Sequence, residues 1–307
     1  MDKISWIIII DERRAGGMLD AAQKLGGQVT AAVVGSRALA DKMATLGFDR
    51  VLLFETGEGT PPEAFAQQVA EAAKEAAPEL VMSSDVSAAR VLLGAVAVKL
   101  EAAVIAAVRG LTAEGENIIA SRSIADGRLV EDIAVKGPLA VIFDGDDVEK
   151  PAREPVPVES IPVEKPKAAM RLVKTIEDTE ASGLLTAARV VGVGVGVRAK
   201  EDLKLIDDLA EAMHAEKACT LPVCDDMRWF PSNRVVGSSH NQIAPDLYIA
   251  VGISGQPQHM SGIRDAKVIV AINNDPEARI FKNCHYGIVG DLYKIVPQLT
   301  SAFKNYQ

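Results

Sequence analysis

One stretch limits the fold more than any other: APDLYIAVGISGQPQHMSGIRDAKVIVAINND, residues 244–275. The apolar run at 247–251 is too short for a stable helix and holds β-branched side chains, which predicts a strand buried in a parallel sheet. Gly252, Ser254 and Gly255 break the run, residues 256–262 start a helix, and a second apolar run at 268–272 stops at Asn273, Asn274 and Asp275. Strand, glycine turn, helix, strand is the βαβ unit whose carboxyl edge receives ligands in open α/β sheets. Ser254, Gln258, His259, Asn273, Asn274 and Asp275 fall at that edge. The stretch therefore predicts a binding site as well as a core.

The first half of the chain repeats the same rhythm. Strands are predicted over 4–10, 28–34, 50–54 and 80–83. Helices are predicted over 17–25, from Ser36 as N-cap to 46, from Pro61 and Pro62 to 77, and over 87–100. That order is doubly wound α/β. Strand-like runs at 105–109, 117–121, 128–135 and 139–143 then follow one another through short turns, predicting antiparallel hairpins on one edge of the parallel sheet. The loop from Asp11 to Gly17 lacks the glycine spacing and lysine of a phosphate cradle. Its Arg13 and Arg14 could meet an anion or lie in a solvated loop.

Residues 148–167 carry five prolines among charges, a text that runs extended along a surface or edge. With 307 residues there is chain enough for two domains. The expected division is an N-terminal α/β domain over 1–147, a Pro-rich extended linker over 148–188 and a C-terminal Rossmann-like domain over 189–307. In the last, 190–193 reads as a strand and 201–214 as an amphipathic helix with Leu203, Ile206, Leu209 and Met213 on one face. Gly194, Gly196 and Ala199 fit a relaxed dinucleotide fingerprint, with Glu216 near the spacing of a ribose-binding acid but expected ahead of the next strand and not at its end. A nicotinamide-binding domain is thus one reading.

Net charge −9 and 4% aromatics argue against a partner that needs phosphate neutralisation or base stacking. Three cysteines without a C-x-x-C pair fit a reducing cytosol, and Cys219 and Cys224 read as buried thiols instead of metal ligands. No stretch is long enough to span a bilayer, and the apolar run at 7–10 sits between acidic residues as a first strand, not a signal segment. The expectation is a soluble, cytoplasmic protein without membrane insertion. The four histidines, 214, 240, 259 and 285, complete no Ser-His-Asp or Cys-His constellation, so no catalytic or metal-binding residues are assigned.

The strings LYIAVGISG, QH at 258–259, VIVAINNDPEARIF and YGIVGDLYKIVPQL resemble the C-terminal domain of electron transfer flavoprotein α subunits. The resemblance runs from about residue 190 to the end; the N-terminal half shares only length and strand order. It implies bound FAD, a β subunit that closes the site, and electron delivery from an acyl-CoA dehydrogenase-type flavoenzyme. It gives His259 the task of meeting charge at flavin N1 and the C2 carbonyl, and Gln258 a contact at the flavin edge. The other reading of His259 is a histidine satisfied in the domain interior. Ser254 and Gly255 would let the ribityl–phosphate chain lie against backbone, and Ser239 would offer its hydroxyl to N5. Thr220 stands where the family has serine. Asn273 and Asp291 fall on the adenosine half, with Gly237, Ser238, Gln256 and Leu292 completing the cofactor-binding set. Asp275 ranks below Asn273 and could instead cap the turn before Pro276.

The chain departs from the family pattern where positive charge is concerned. Val195 replaces the arginine of a G-R-G turn, and Leu221 replaces the arginine of a serine-arginine-proline turn. The turn at Ser238, Ser239 and His240 is also altered. Loss of two cations predicts a flavin less able to hold negative charge, hence a lower reduction potential, unless His240, Arg228 or Arg234 restores the charge. Weakened FAD binding, another nucleotide in the site, or a subunit whose flavin site is lost are the further readings.

Overall fold

The computed structural model describes residues 3–163 except 58, 126 and 128, together with 173 and 182–305. The chain divides into two compact units, Met1–Thr175 and Ile176–Gln307.

The first unit runs β1 (Ile4–Ile9), α1 (Ala15–Lys24), β2 (Gln28–Gly35), α2 (Arg37–Ala44), β3 (Arg50–Glu55), α3 (Ala66–Ala76), β4 (Leu80–Ser84), α4 (Ser87–Leu100), β5 (Ala103–Glu114), β6 (Asn117–Ile124), β7 (Leu129–Val135), β8 (Leu139–Phe143) and β9 (Val158–Ser160). Its sheet has the order β7-β6-β5-β8-β4-β1-β2-β3-β9. Successive residues of β1 feed opposite cores: Ile7 and Ile9 pack with Met18, Leu19 and Met43, while Trp6 and Ile8 pack with Phe54, Phe65 and Leu92. Ser36 accepts a hydrogen bond from the Leu39 N–H at 3.3 Å and so starts α2.

One expectation from the sequence changes. Strands β5, β6 and β7 are the antiparallel meander predicted at the edge, but β8 is not a hairpin arm: it lies between β5 and β4, parallel to both. The reason is its composition. Leu139, Ala140 and Val141 are fully buried and need cover on both faces, which only a central position supplies.

The arginines after β1 meet anions belonging to the chain itself. Arg13 pairs with Asp11 and Arg14 with Asp144 at 2.7 Å. The Asp147 carboxylate accepts from the Arg14 and Gly17 N–H groups at 3.0 and 3.2 Å, taking the anion position at the start of α1. A Cβ at Gly17 would fall 2.1 Å from the Asp146 carbonyl oxygen, so only glycine lets this segment cross so near the helix. Beyond it the chain stays extended. Arg153, Val156 and Ile161 donate their N–H groups to Thr45, Ala44 and Leu53, and β9 pairs with β3 at the sheet edge. Linker residues 164–172 and 174–181 lie outside the described residues.

The second unit comprises α5 (Ser182–Thr186), β10 (Arg189–Val193), α6 (Leu203–Met213), β11 (Glu216–Cys219), α7 (Leu221–Asp225), β12 (Leu247–Val251), α8 (Pro257–Gly262), β13 (Val268–Asn273), β14 (Tyr286–Val289) and α9 (Leu292–Asn305). Its five strands are all parallel, in the order β11-β10-β12-β13-β14. Ile206, Leu209 and Met213 of α6 seal one face against Val191, Val193 and Ile249. Among the described residues, no helix is long and apolar enough to cross a membrane.

Candidate functional site

Strand β11 lies on one side of β10 and β12 on the other. The carboxyl ends of β10 and β12 are therefore the switch point at which open α/β sheets hold ligands. Two glycine turns meet there. A Cβ at Gly194 would sit 2.2 Å from the Gly252 carbonyl oxygen, and one at Gly196 would sit 2.7 Å from the Gly252 Cα. The fingerprint spacing thus serves the packing of one backbone turn on another. Glu216 opens β11 at its amino end, where Arg234 binds it at 2.6 Å. It does not occupy the strand-end position of a ribose-binding acid.

Two cavities share Val195. The first, about 250 Å³, has apolar walls including Val195, Leu221, Pro222, Val236 and Ile253. The predicted residues Thr220, Gly237, Ser238, Ser239, Ser254, Gln256, Gln258 and His259 all line it, together with His240. The second, about 230 Å³, brings Asn273, Asp291 and Leu292 to Arg198, Asn274 and Tyr293. Gly255 lines neither. Its φ is +83° and a Cβ would meet the Ile280 nitrogen at 2.3 Å, so it sets the turn against the following segment.

The loop after Val236 is fastened to α8. Ser238 donates its N–H to the Gln258 carbonyl at 2.8 Å, and a Cβ at Gly237 would fall 2.9 Å from the same oxygen. Ser239 Oγ and His240 Nδ1 lie 3.1 Å apart. In the second cavity the Asn273 amide donates to the Ile253 carbonyl and accepts from the Asp275 N–H, both at 2.9 Å. Asp275 in turn accepts from the Glu277 N–H, the turn-capping role. Asp291 accepts from the Tyr293 N–H at 3.0 Å with one oxygen.

His259 is 6% exposed and engaged at both ring nitrogens. Nδ1 lies 3.0 Å from the Val236 carbonyl, which can only accept, so Nδ1 carries the proton. Nε2 then accepts from the Tyr248 hydroxyl at 3.1 Å. Burial, partly opposed by the bond to Val236, pulls the imidazole pKa from the usual 6.5 down to about 4, and burial likewise raises that of Tyr248. The ring is a neutral strut joining β12, α8 and the loop at 236. Cys219, beneath the rim, is pushed up to about 12 by burial, ahead of the influence of Cys224 and Asp225; it is a buried thiol.

Among the described residues, no aspartate, glutamate, lysine or arginine lines the first cavity. Of the three proposed substitutes for the missing arginines, His240 reaches it, while Arg234 is held by Glu216 and Arg228 lines neither cavity. The sequence reading missed Arg198 and Tyr293. The signal was present: Arg198 is the first charge after the glycine turn, and Tyr293 sits inside a matched string.

Apolar walls with hydroxyl and amide groups suit a flat ring system, and an adjoining cavity with a cation, amides and a carboxylate suits a nucleotide. The residues fit FAD. Fold and rim together define a nucleotide-cofactor-binding α/β protein. Residues 183–264 match the electron transfer flavoprotein FAD-binding domain, and residues 17–171 match the electron transfer flavoprotein domain. The latter extends the kinship into the half that sequence strings related only by length and strand order. YdiR of Escherichia coli strain K12, named as an electron transfer flavoprotein subunit, is 31% identical over 307 residues, 96% of each chain. Protein FixB of Salmonella typhimurium strain LT2 is 31% identical over 98% of this chain and 99% of its own. Protein FixB of Escherichia coli O9:H4 strain HS is 48% identical over 116 residues, 38% of this chain and 37% of its own. The chain belongs to the electron transfer flavoprotein α-subunit family, and its second unit carries the FAD-binding domain.

Proposed function

We propose that this chain is the cofactor-bearing subunit of a two-subunit electron carrier, paired with a β-type subunit. Electrons reach it from an acyl-CoA dehydrogenase-type flavoenzyme and leave to a further redox partner. The observation that carries this reading is the chemistry of the first cavity. Its hydroxyls and amides can orient a ring, and among the described residues no carboxylate, lysine or arginine lines it. His259, tied at both nitrogens, is not free to shuttle protons. Such a site suits the positioning of a flat cofactor.

FAD bound there supplies the one- and two-electron chemistry. Thr220, Ser238, Ser239, Ser254, Gln256 and Gln258 orient the flavin half, with the Gly237 turn giving backbone access. Asn273 and Asp291 take the adenosine half, over the buried Leu292. Gly255 shapes the turn that carries Ser254. Val195 and Leu221, 49% and 41% exposed, leave the first cavity without a fixed cation, which favours a lower reduction potential than an arginine-bearing site would give.

Co-expression with a β-type subunit tests the reading. A yellow complex that an acyl-CoA dehydrogenase reduces in the presence of its substrate is the expected result. A colourless complex, or one that binds NADH in place of flavin, overturns it.

A further inference from the structure

The second cavity holds a feature that the first lacks: a guanidinium. Arg198 extends from the turn between β10 and α6, and its position is fixed from two directions. Its N–H donates to the Tyr293 hydroxyl at 2.9 Å, and its guanidinium carbon lies 5.5 Å from the centroid of the same ring. Tyr293 is itself clamped. Its hydroxyl donates to Asp202 at 2.5 Å, and its N–H donates to Asp291. The aromatic face thus forms a platform that holds the cation at the cavity wall.

Among the described residues, no carboxylate comes within ion-pair distance of Arg198. Asp291 lines the same cavity but directs one oxygen to the start of α9. Elsewhere in this unit Arg234, Lys217 and Lys267 are each matched to an acid. Arg198 is, among the described residues, the sole lysine or arginine lining either cavity at the switch point. An unmatched, pre-positioned guanidinium beside amides suits an anion with several oxygens.

We propose that Arg198 is the residue that reads the diphosphate of the cofactor, and that it selects adenine nucleotides carrying a diphosphate over the isoalloxazine-bearing fragment alone. The inference rests on the reading of the switch point as a FAD site. Arg198 supplies the positive charge at the nucleotide end. Asn273 and Asn274 supply amide groups beside it, and Val195 lines both this cavity and the first.

Equilibrium titration of the full chain, freed of flavin, tests the proposal with three probes: FAD, ADP and riboflavin. Arg198→Ala is expected to weaken FAD and ADP by the same factor, about tenfold or more, and to leave riboflavin unchanged. Arg198→Lys should recover part of the loss. Wild-type affinity for ADP should fall with added salt more steeply than that of the alanine variant, a readout that a merely structural role would not move. Equal ADP affinity in wild type and Arg198→Ala overturns the assignment, as does a parallel loss of riboflavin or no ADP binding by wild type. Wild-type binding of ADP without FAD would overturn the flavin reading while leaving the Arg198 arm to be judged on ADP alone. Should Arg198→Ala fail to fold, Arg198→Lys and the wild-type salt dependence decide: unchanged ADP affinity in the lysine variant with no salt effect overturns the proposal.

Discussion

Acidification should remove stability from the second unit through one side chain. The His259 imidazole is held neutral, its pKa lowered from 6.5 to about 4 by burial, whereas in the unfolded chain it titrates at its ordinary value. Above pH 6.5 both states are unprotonated and the group contributes no pH dependence. Between 6.5 and about 4 the unfolded chain takes up a proton that the folded chain refuses, so stability falls as pH falls. Below about 4 both states are protonated and the loss levels off. A displacement of this size corresponds to roughly 3 kcal/mol across the window. Urea denaturation of wild type and His259→Gln at pH 7.5, 5.5 and 4 isolates the effect. Wild type should be the more stable at pH 7.5, and its advantage should shrink by roughly 3 kcal/mol by pH 4. In parallel, the Cε1–H resonance absent from the variant's spectrum should not titrate above about pH 5. A pH-independent stability difference between the two proteins would refute the reasoning, and so would a His259 resonance titrating near 6.5 or higher. In that case the imidazole is a cation within reach of physiological pH, and the first cavity is not free of charge.

Tyr248→Phe should cost about 1–3 kcal/mol, because Nε2 of His259 would lose its buried donor; a midpoint of urea denaturation equal to wild type would count against that bond. Asp147→Ala strips the N-terminal N–H groups of α1 of their acceptor, and thermal denaturation should register a loss of about 1 kcal/mol. Val195→Arg returns a fixed cation to the first cavity. At about 7 Å and an effective dielectric constant of about 20 this contributes roughly 2 kcal/mol, about 100 mV per electron. A redox titration of the flavin-loaded complex showing an unchanged or lower potential would contradict the electrostatic account.

Local pattern carried most of the fold. Short apolar runs, prolines at helix starts and glycines at strand ends bound β1 to β4, β8, β10, β12 and β13 to within about two residues, since each signal acts over a few positions, whereas β9, β11 and β14 are not among the predicted strands. The position of β8 escaped because pairing is not local. A strand separated from β7 by a short turn pairs with it by default, and only the burial of Leu139, Ala140 and Val141 favours insertion between β4 and β5. At the site, eight of the proposed flavin-side residues line one cavity, because they lie on consecutive turns of one sheet edge. His259 lines the same cavity in a neutral state. Its state depends on Tyr248, eleven positions away on β12, and on the Val236 carbonyl, 23 positions away. Spacing alone does not disclose such partners. Gly194 and Gly196 show the converse: a fingerprint spacing can arise from the contact of two backbone turns at Gly252.

The distribution of charge along the rim separates two properties that one arginine would otherwise couple. A cation in the first cavity would attract the cofactor and also stabilise negative charge on the ring, so affinity and potential would rise together. Here Val195 and Leu221 remove that cation, and Arg198 lies in the neighbouring cavity. A Coulomb interaction weakens with distance, and solvent at an exposed position weakens it further. Arg198 can therefore act on the diphosphate beside it while influencing the ring little. Retention of the nucleotide should then respond to position 198 with small change in potential, and potential should respond to position 195. A chain organised this way can hold its cofactor firmly and still release electrons at low potential.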